Sequence, residues 1–229
     1  GRAAEPQQQA IRTQVFDAVL RSMPAGLTVV DIGCGTGAIA RDLAQRPNIS
    51  SVIGVDPAPF LVEEAQRLAA NDPHRSKLSF RQGLGGELPL GTASAHVAII
   101  WTVLCHVPTA DIAQILKDTR RVLKPGGRVV VADNDLSGWS VAMGEHDPLS
   151  PPLAWFVRAY IQDPWLCKSF PSLLAAAGFS AGPLQLHTVV EVRARTPAPA
   201  WYTCAHATQT TSHAAACGPC MLRGRRPRT

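Results

Sequence analysis

The sequence predicts an α/β fold: a doubly wound, mainly parallel seven-stranded sheet with helices on both faces and a small helical cap. Three observations carry this prediction. Short apolar runs rich in β-branched residues recur at Leu27–Ile32, Val52–Val55 and Val97–Trp101, as expected of buried strands. Segments of helical spacing separate them, so strand and helix alternate. The first run leads straight into Gly33-Cys34-Gly35-Thr36-Gly37, where three missing Cβ atoms allow positive φ and close approach of a ligand to the backbone.

The elements follow in order. Gln7 to Met23 carries Ile11, Val15, Phe16, Val19 and Leu20 at three- and four-residue spacing, which predicts a helix ended by Pro24-Ala25-Gly26. After the glycine turn, Ala38 to Arg46 places Ala40, Leu43 and Ala44 on one helical face. The second strand ends at Asp56, and Pro57 is suited to start a helix over Ala58–Asn71 whose apolar face reads Phe60, Leu61, Ala65, Leu68 and Ala69. Lys77–Gln82 alternates as a third strand, with Leu78 and Phe80 inward. A helix over Asp111–Lys124 follows the fourth strand; Lys124 complements its dipole and Pro125-Gly126-Gly127 stops it. Arg128–Ala132 is the fifth strand, Leu184–Arg193 the sixth, and Trp201–Thr208 an antiparallel seventh. Between them, helices at Leu153–Gln162 and Lys168–Ala177 form a cap over about 134–178. One domain is expected over 1–208, with a disordered Thr/Ala/Arg-rich tail over 209–229.

Composition narrows the function classes. The net charge of the 229 residues is +5, but Arg223, Arg225, Arg226 and Arg228 lie in the tail; without them 18 basic residues face 17 acidic ones. The body is near neutral, which argues against nucleic acid as a partner. The longest strongly apolar run, Val97–Cys105, is far below the ~20 residues of a membrane span. Gly1–Gln9 is polar and is not expected to act as a secretory leader. Cys34, Cys105 and Cys167 fall at core or helix positions, which predicts reduced thiols and a cytoplasmic setting. Cys204, His206, His213, Cys217 and Cys220 cluster in the tail; their spacing is too irregular for a metal site, and Cys217-Gly218-Pro219-Cys220 lacks the flanking strand and helix of a redox motif.

A strand, glycine loop, helix and second strand tipped by an acid form a unit suited to an adenosine-type cofactor, the acid accepting from ribose hydroxyls. Gly33, Gly35 and Ala38 also fit the dinucleotide pattern GxGxx(G/A). Asp31, two positions ahead of Gly33, separates the two readings: its charge repels a pyrophosphate and suits the ammonium of an amino-acid moiety.

The stretch VVDIGCGTG resembles motif I of the class I S-adenosylmethionine-dependent methyltransferases. The resemblance continues through GVDPAPFLVEEAQ and LKDTRRVLKPGGRVVVAD and spans about residues 7–193. It runs to small-molecule methyltransferases of the ubiquinone/menaquinone type and their natural-product relatives. It implies a Rossmann-like methyltransferase fold, S-adenosylmethionine as cofactor, S-adenosylhomocysteine as product, and a small, cyclic or apolar acceptor. Asp31, Gly33, Cys34, Gly35 and Gly37 would then hold the methionine end and Asp56 the ribose. Pro57, Leu84 and Gly85 would surround the adenine, and Trp101 and His106 would line the reaction side. Leu84 and His96 stand where the family pattern carries acids.

His106, after the fourth strand, is the candidate base, because imidazole titrates in the useful range; the alternative is a loop histidine bonded to backbone. Asp133, Trp139 and His146 are candidate substrate contacts beside His106. Their alternatives are loop capping for Asp133-Asn134, packing of the cap for the aromatics, and a solvated loop for His146. Asp133-Asn134 resembles the Mg²⁺ pair of catechol-type O-methyltransferases, but Trp101 and Thr102 occupy the place of the further acid, so no metal is expected. Three other readings stay open: a nicotinamide-dependent oxidoreductase, methylation of RNA or protein, against which the near-neutral body argues, and a methyltransferase-like scaffold that binds a cofactor or partner without turnover.

Overall fold

The computed structural model describes residues 6–135, 155, 159 and 161–180. Its elements are α1 (Pro6–Leu20), β1 (Leu27–Ile32), α2 (Ala38–Ala44), β2 (Ile49–Asp56), α3 (Pro59–Ala69), β3 (Leu78–Gln82), β4 (Ala95–Trp101), α4 (Thr109–Val122), β5 (Leu123–Ala132) and α5 (Leu166–Ala176). The described sheet has five strands rather than seven, in the order β3-β2-β1-β4-β5, and every pairing is parallel. The expected sixth and seventh strands, most of the first cap helix, the 208/209 boundary and the tail cysteines lie outside the described residues.

Two apolar clusters cover the two faces of the sheet. Phe16 and Leu20 of α1, Ile39 and Leu43 of α2, and Val62 and Ala65 of α3 bury one face with Val29, Val97 and Ile99. Ile112, Ile115 and Leu116 of α4 and Leu166 and Phe170 of α5 bury the other with Val30, Ala98 and Ile100. The chain order reverses between β1 and β4, which puts the ligand crevice outside the carboxyl ends of these strands.

Two local expectations need correction. The inward face of α3 is Val62, Ala65 and Ala69, and Phe60 is 67% exposed, because it lies two positions before Val62 and about 200° around the helix from it. The α4 helix ends at Val122, before Lys124, which therefore does not complement its dipole. Pro125 biases Lys124 toward extended backbone, and β5 begins at once: Leu123 pairs with Ala95 and Arg128 with Val97. The residues between them bulge out through Gly126 at φ +75°. The Lys124 amine instead lies 3.0 Å from Nε2 of His96, whose Nδ1 accepts the Thr28 N–H at 2.9 Å. His96 is thus a tie between the N-terminal ends of β1 and β4.

Candidate active site

The glycine turn is hooked onto the end of β2. Gly33 and Cys34 N–H groups donate to the Val55 carbonyl at 2.7 and 3.1 Å, and Gly37 N–H donates to Cys34 C=O at 2.9 Å. All three glycines have positive φ, at +72°, +53° and +72°. Their open sides differ. A Cβ on Gly33 would lie 2.5 Å from Val103, and one on Gly37 would lie 2.6 Å from the Phe80 ring. A Cβ on Gly35 would meet nothing within 4 Å. The close approach expected at all three is therefore available at Gly35 alone; the other two accommodate the protein's own packing. The Cys34 thiol is buried, and burial, helped by Asp31 and Asp56, pushes its pKa far above the ordinary thiol value. It is an inert lining group.

Asp56 closes the loop. Its Oδ2 accepts the Gly35 N–H and its Oδ1 the Ala58 N–H, both at 2.9 Å, and the residue is 6% exposed. Each oxygen keeps a second lone pair, so the carboxylate can clamp the loop and still accept from a ligand.

Asp31 is the most unusual group here. It is 1% exposed at the end of β1, and its Oδ2 has no hydrogen-bond partner. Burial pushes its pKa up to about 7; the Ala40 N–H in the first turn of α2 lowers it, Asp56 raises it and Arg12 lowers it. Arg12 comes from α1, is 3% exposed, and bonds Asp42 of α2 at 3.3 Å. Helical periodicity did not single out Arg12, because it lies beside the apolar stripe.

The β2 and β3 ends form a rim. Asp56 pairs with Gln82, so Pro57 and Leu84 lie at the same edge, and Gln82 Nε2 donates to the Pro57 carbonyl at 3.2 Å. Pro57 is exposed, Leu84 is 63% exposed, and a Cβ on Gly85 would just touch Ile115. Phe60 adds a second exposed apolar side chain to the first turn of α3.

Across the crevice, Trp101 is 8% exposed, with its ring edge-on to Phe16 of α1 at 5.7 Å. Thr102 follows at φ +54°, and its N–H donates to Ala132 C=O at 2.7 Å. A β-branched residue in the left-handed region is strained, a condition that clusters at ligand sites. No sequence signal marked it. Leu104–His106 forms one 3-10 turn, with His106 exposed. Asp133 fixes that turn: its Oδ2 accepts Cys105 N–H at 2.9 Å and its Oδ1 accepts Asn134 N–H at 2.9 Å. Asp133 thus caps this turn through both carboxylate oxygens. Gln162 N–H, just before α5, donates to Cys105 C=O at 3.0 Å. Trp139 and His146 lie outside the described residues.

The parallel sheet with this glycine turn, buried acid and second acid defines the class of doubly wound nucleoside-cofactor domains. Residues 29–127 match the family model described as a methyltransferase domain. Through this segment the chain is similar to the class I S-adenosylmethionine-dependent methyltransferases. It is 30% identical over 164 residues to the 2-methyl-6-phytyl-1,4-hydroquinone methyltransferase of Synechocystis, covering 70% of this chain and 46% of that protein. It is 35% identical over 109 residues to the demethylmenaquinone methyltransferase of Desulfitobacterium hafniense, covering 47% of this chain and 42% of that one. The BH2331 protein of Bacillus halodurans C-125 shares the fold, with a TM-score of 0.58 at 21% identity over 76% of this chain and 69% of that chain. The first curated relatives are spanned for 28–46% of their length.

Proposed function

We propose that the protein transfers a methyl group from S-adenosylmethionine to a small, cyclic or apolar acceptor. One observation carries the reading: a buried, unpartnered carboxylate oxygen on Asp31 stands at the strand end that leads into the glycine turn, and Gly35 presents open backbone there. That arrangement fits a cofactor with a cationic amino-acid end. A pyrophosphate would bring this carboxyl no counter-charge and would repel its ionised form.

The bound sulfonium supplies an activated methyl carbon for in-line displacement. The chain's own residues bind and orient. Asp31 meets the ammonium and Gly35, with Cys34 beside it, takes the methionine end, while Gly33 and Gly37 shape the turn against Val103 and Phe80. The free lone pairs of Asp56 accept the ribose hydroxyls, and Pro57, Leu84 and Gly85 take the adenine. The exposed apolar Leu84 replaces a polar reader of the adenine amine, leaving that edge to the backbone of Leu84 and Gly85. Trp101 backs the crevice, and His106, on the turn held by Asp133, receives the acceptor's proton. Positioning and a base are what this displacement needs from a protein. The hydroquinone and demethylmenaquinone names of two relatives support a flat, apolar acceptor.

Calorimetric titration with S-adenosylhomocysteine tests the proposal. The intact protein should bind it, and Asp56→Ala should weaken binding at least tenfold, about 1.4 kcal/mol, by freeing both the Gly35 amide and the ribose. Absence of binding by the intact protein would overturn the reading.

A further inference from the structure

We infer that the hollow beside the C-terminal end of α4 is a second ligand site, suited to a phosphate monoester on an apolar body and separate from the cofactor cradle. It stands on its own observations and does not need the cofactor reading.

The hollow measures about 500 Å³, a size typical of small-molecule sites and larger than a bare ion needs. It lies beside the starts of β4 at Ala95 and β5 at Leu123, at the amino ends of the strands, whereas the glycine turn lies at the carboxyl end of β1. Ala93, Leu123 and Pro125 give it apolar walls. Its charged lining is all cationic and comes from α4, as Lys117, Arg120 and Arg121.

The three cations are not equivalent. Arg121 is committed: it forks onto Asp118 and donates to the Leu88 and Leu90 carbonyls. Lys117 and Arg120 are exposed, and among the described residues neither has an ion-pair partner. Arg120 meets neutral groups, the Gly178 carbonyl at 3.5 Å and the face of the Phe179 ring at 6.0 Å. Nor are these two charges needed to cap the helix. The Thr119 carbonyl accepts the Leu123 N–H, the Arg121 carbonyl accepts the Ala93 N–H at 3.0 Å, and the Val122 carbonyl accepts the Ser94 N–H at 2.9 Å.

Like charges one helical turn apart repel, and a doubly charged anion between them removes the repulsion. A phosphate monoester carries close to two charges at neutral pH, and a guanidinium holds phosphate through paired N–H bonds. Thr92 adds an exposed hydroxyl to the lining. The apolar walls then call for a body on the phosphate. A second mark of a ligand site is the backbone of Ala93, at φ +53°; the other non-glycine residue at positive φ among those described is Thr102 in the crevice.

The probe is phenyl phosphate, titrated calorimetrically into the intact protein at low salt beside inorganic phosphate, benzyl alcohol and benzoate, with backbone amide signals followed by NMR. Phenyl phosphate should bind one site at least about tenfold tighter than each of the other three, which lack the body, the head and the second charge in turn. Saturation should shift the Ala93 and Ser94 amide signals and leave that of Gly35 in place. Lys117→Glu combined with Arg120→Glu, checked for folding by circular dichroism, should weaken binding at least about tenfold by reversing both charges. Lys117→Gln, at an exposed position with no ion pair to lose, should weaken it about threefold and keeps the test open if the double variant does not fold. Absence of saturable binding, inorganic phosphate binding as tightly as phenyl phosphate, affinity unchanged in the variants, or shifts at Gly35 in place of Ala93 overturns the inference. Benzoate binding as tightly as phenyl phosphate overturns the assignment of a doubly charged head.

Discussion

A methyl group added at Gly35 touches nothing, while one added at Gly37 enters the Phe80 ring. This contrast separates ligand space from packing space within five residues. Gly35→Ala should fold with a penalty of about 1–2 kcal/mol for its left-handed backbone, and its main effect should be on S-adenosylhomocysteine affinity. Gly37→Ala bears the same backbone strain and an overlap at 2.6 Å, which together should cost about 3 kcal/mol or more. Urea midpoints for both variants, read beside ligand titration, check the pair: equal losses of stability would refute the distinction. The sequence could mark the three glycines as a turn, because spacing and the flanking strand suffice for that. It could not rank them, because Val103 and Phe80 reach the turn from elements that fold against it from far along the chain. Arg12 and Thr102 were illegible for a related reason. A buried guanidinium and a left-handed threonine follow from tertiary constraint, and neither leaves a periodic or compositional trace.

At the scale of elements, the rim after β3 is held from α4. Asp118 Oδ2 accepts the Leu88 N–H at 2.6 Å, and its carboxylate takes a two-pronged bond from Arg121, which also donates to the Leu88 and Leu90 carbonyls. Burial pushes the Asp118 carboxyl up, but the Arg121 guanidinium and the Leu88 N–H outweigh it and hold the pKa below the usual value. Asp118→Ala should destabilise the protein by about 2–3 kcal/mol, since it leaves a partly buried N–H and a guanidinium unmatched. It should also open the 83–94 segment to limited proteolysis before the rest of the domain. Denaturant midpoints and mapping of the first cleavage site measure both. Alternation of strands and helices was legible for β1 to β5, because each carries an apolar run or period of its own. Junctions were less so. The α4–β5 boundary moved because the preference of the residue before a proline and the pairing of Leu123 with Ala95 act together, and only the first is written locally.

For the molecule as a whole, the parallel order and the two-faced core follow from the apolar strands, and the cofactor cradle follows from the order reversal between β1 and β4. Among the described residues no helix is long and apolar enough to cross a membrane. The buried acid makes global stability depend on pH. The folded-state pKa of Asp31, about 7, lies above its unfolded value of 3.8. The folded chain therefore binds more protons than the unfolded chain between those values. The stability that the neutral acid contributes is present at low pH and is lost as pH rises toward 7, by up to roughly 4 kcal/mol. Asp31→Asn should remove this slope. Its melting temperature relative to wild type should rise between pH 5 and pH 8, and a constant difference would refute the assignment.

The order of synthesis bears on how this domain assembles. Helix α1 is synthesised before the strands it packs on, and its anchors come late: Trp101 packs on Phe16, and Arg128 donates to the Val19 carbonyl across 109 residues and to the Ser22 hydroxyl. Until β4 and β5 have been made, α1 has no complete dock, and its apolar stripe stays available to chaperones or to a neighbouring nascent chain.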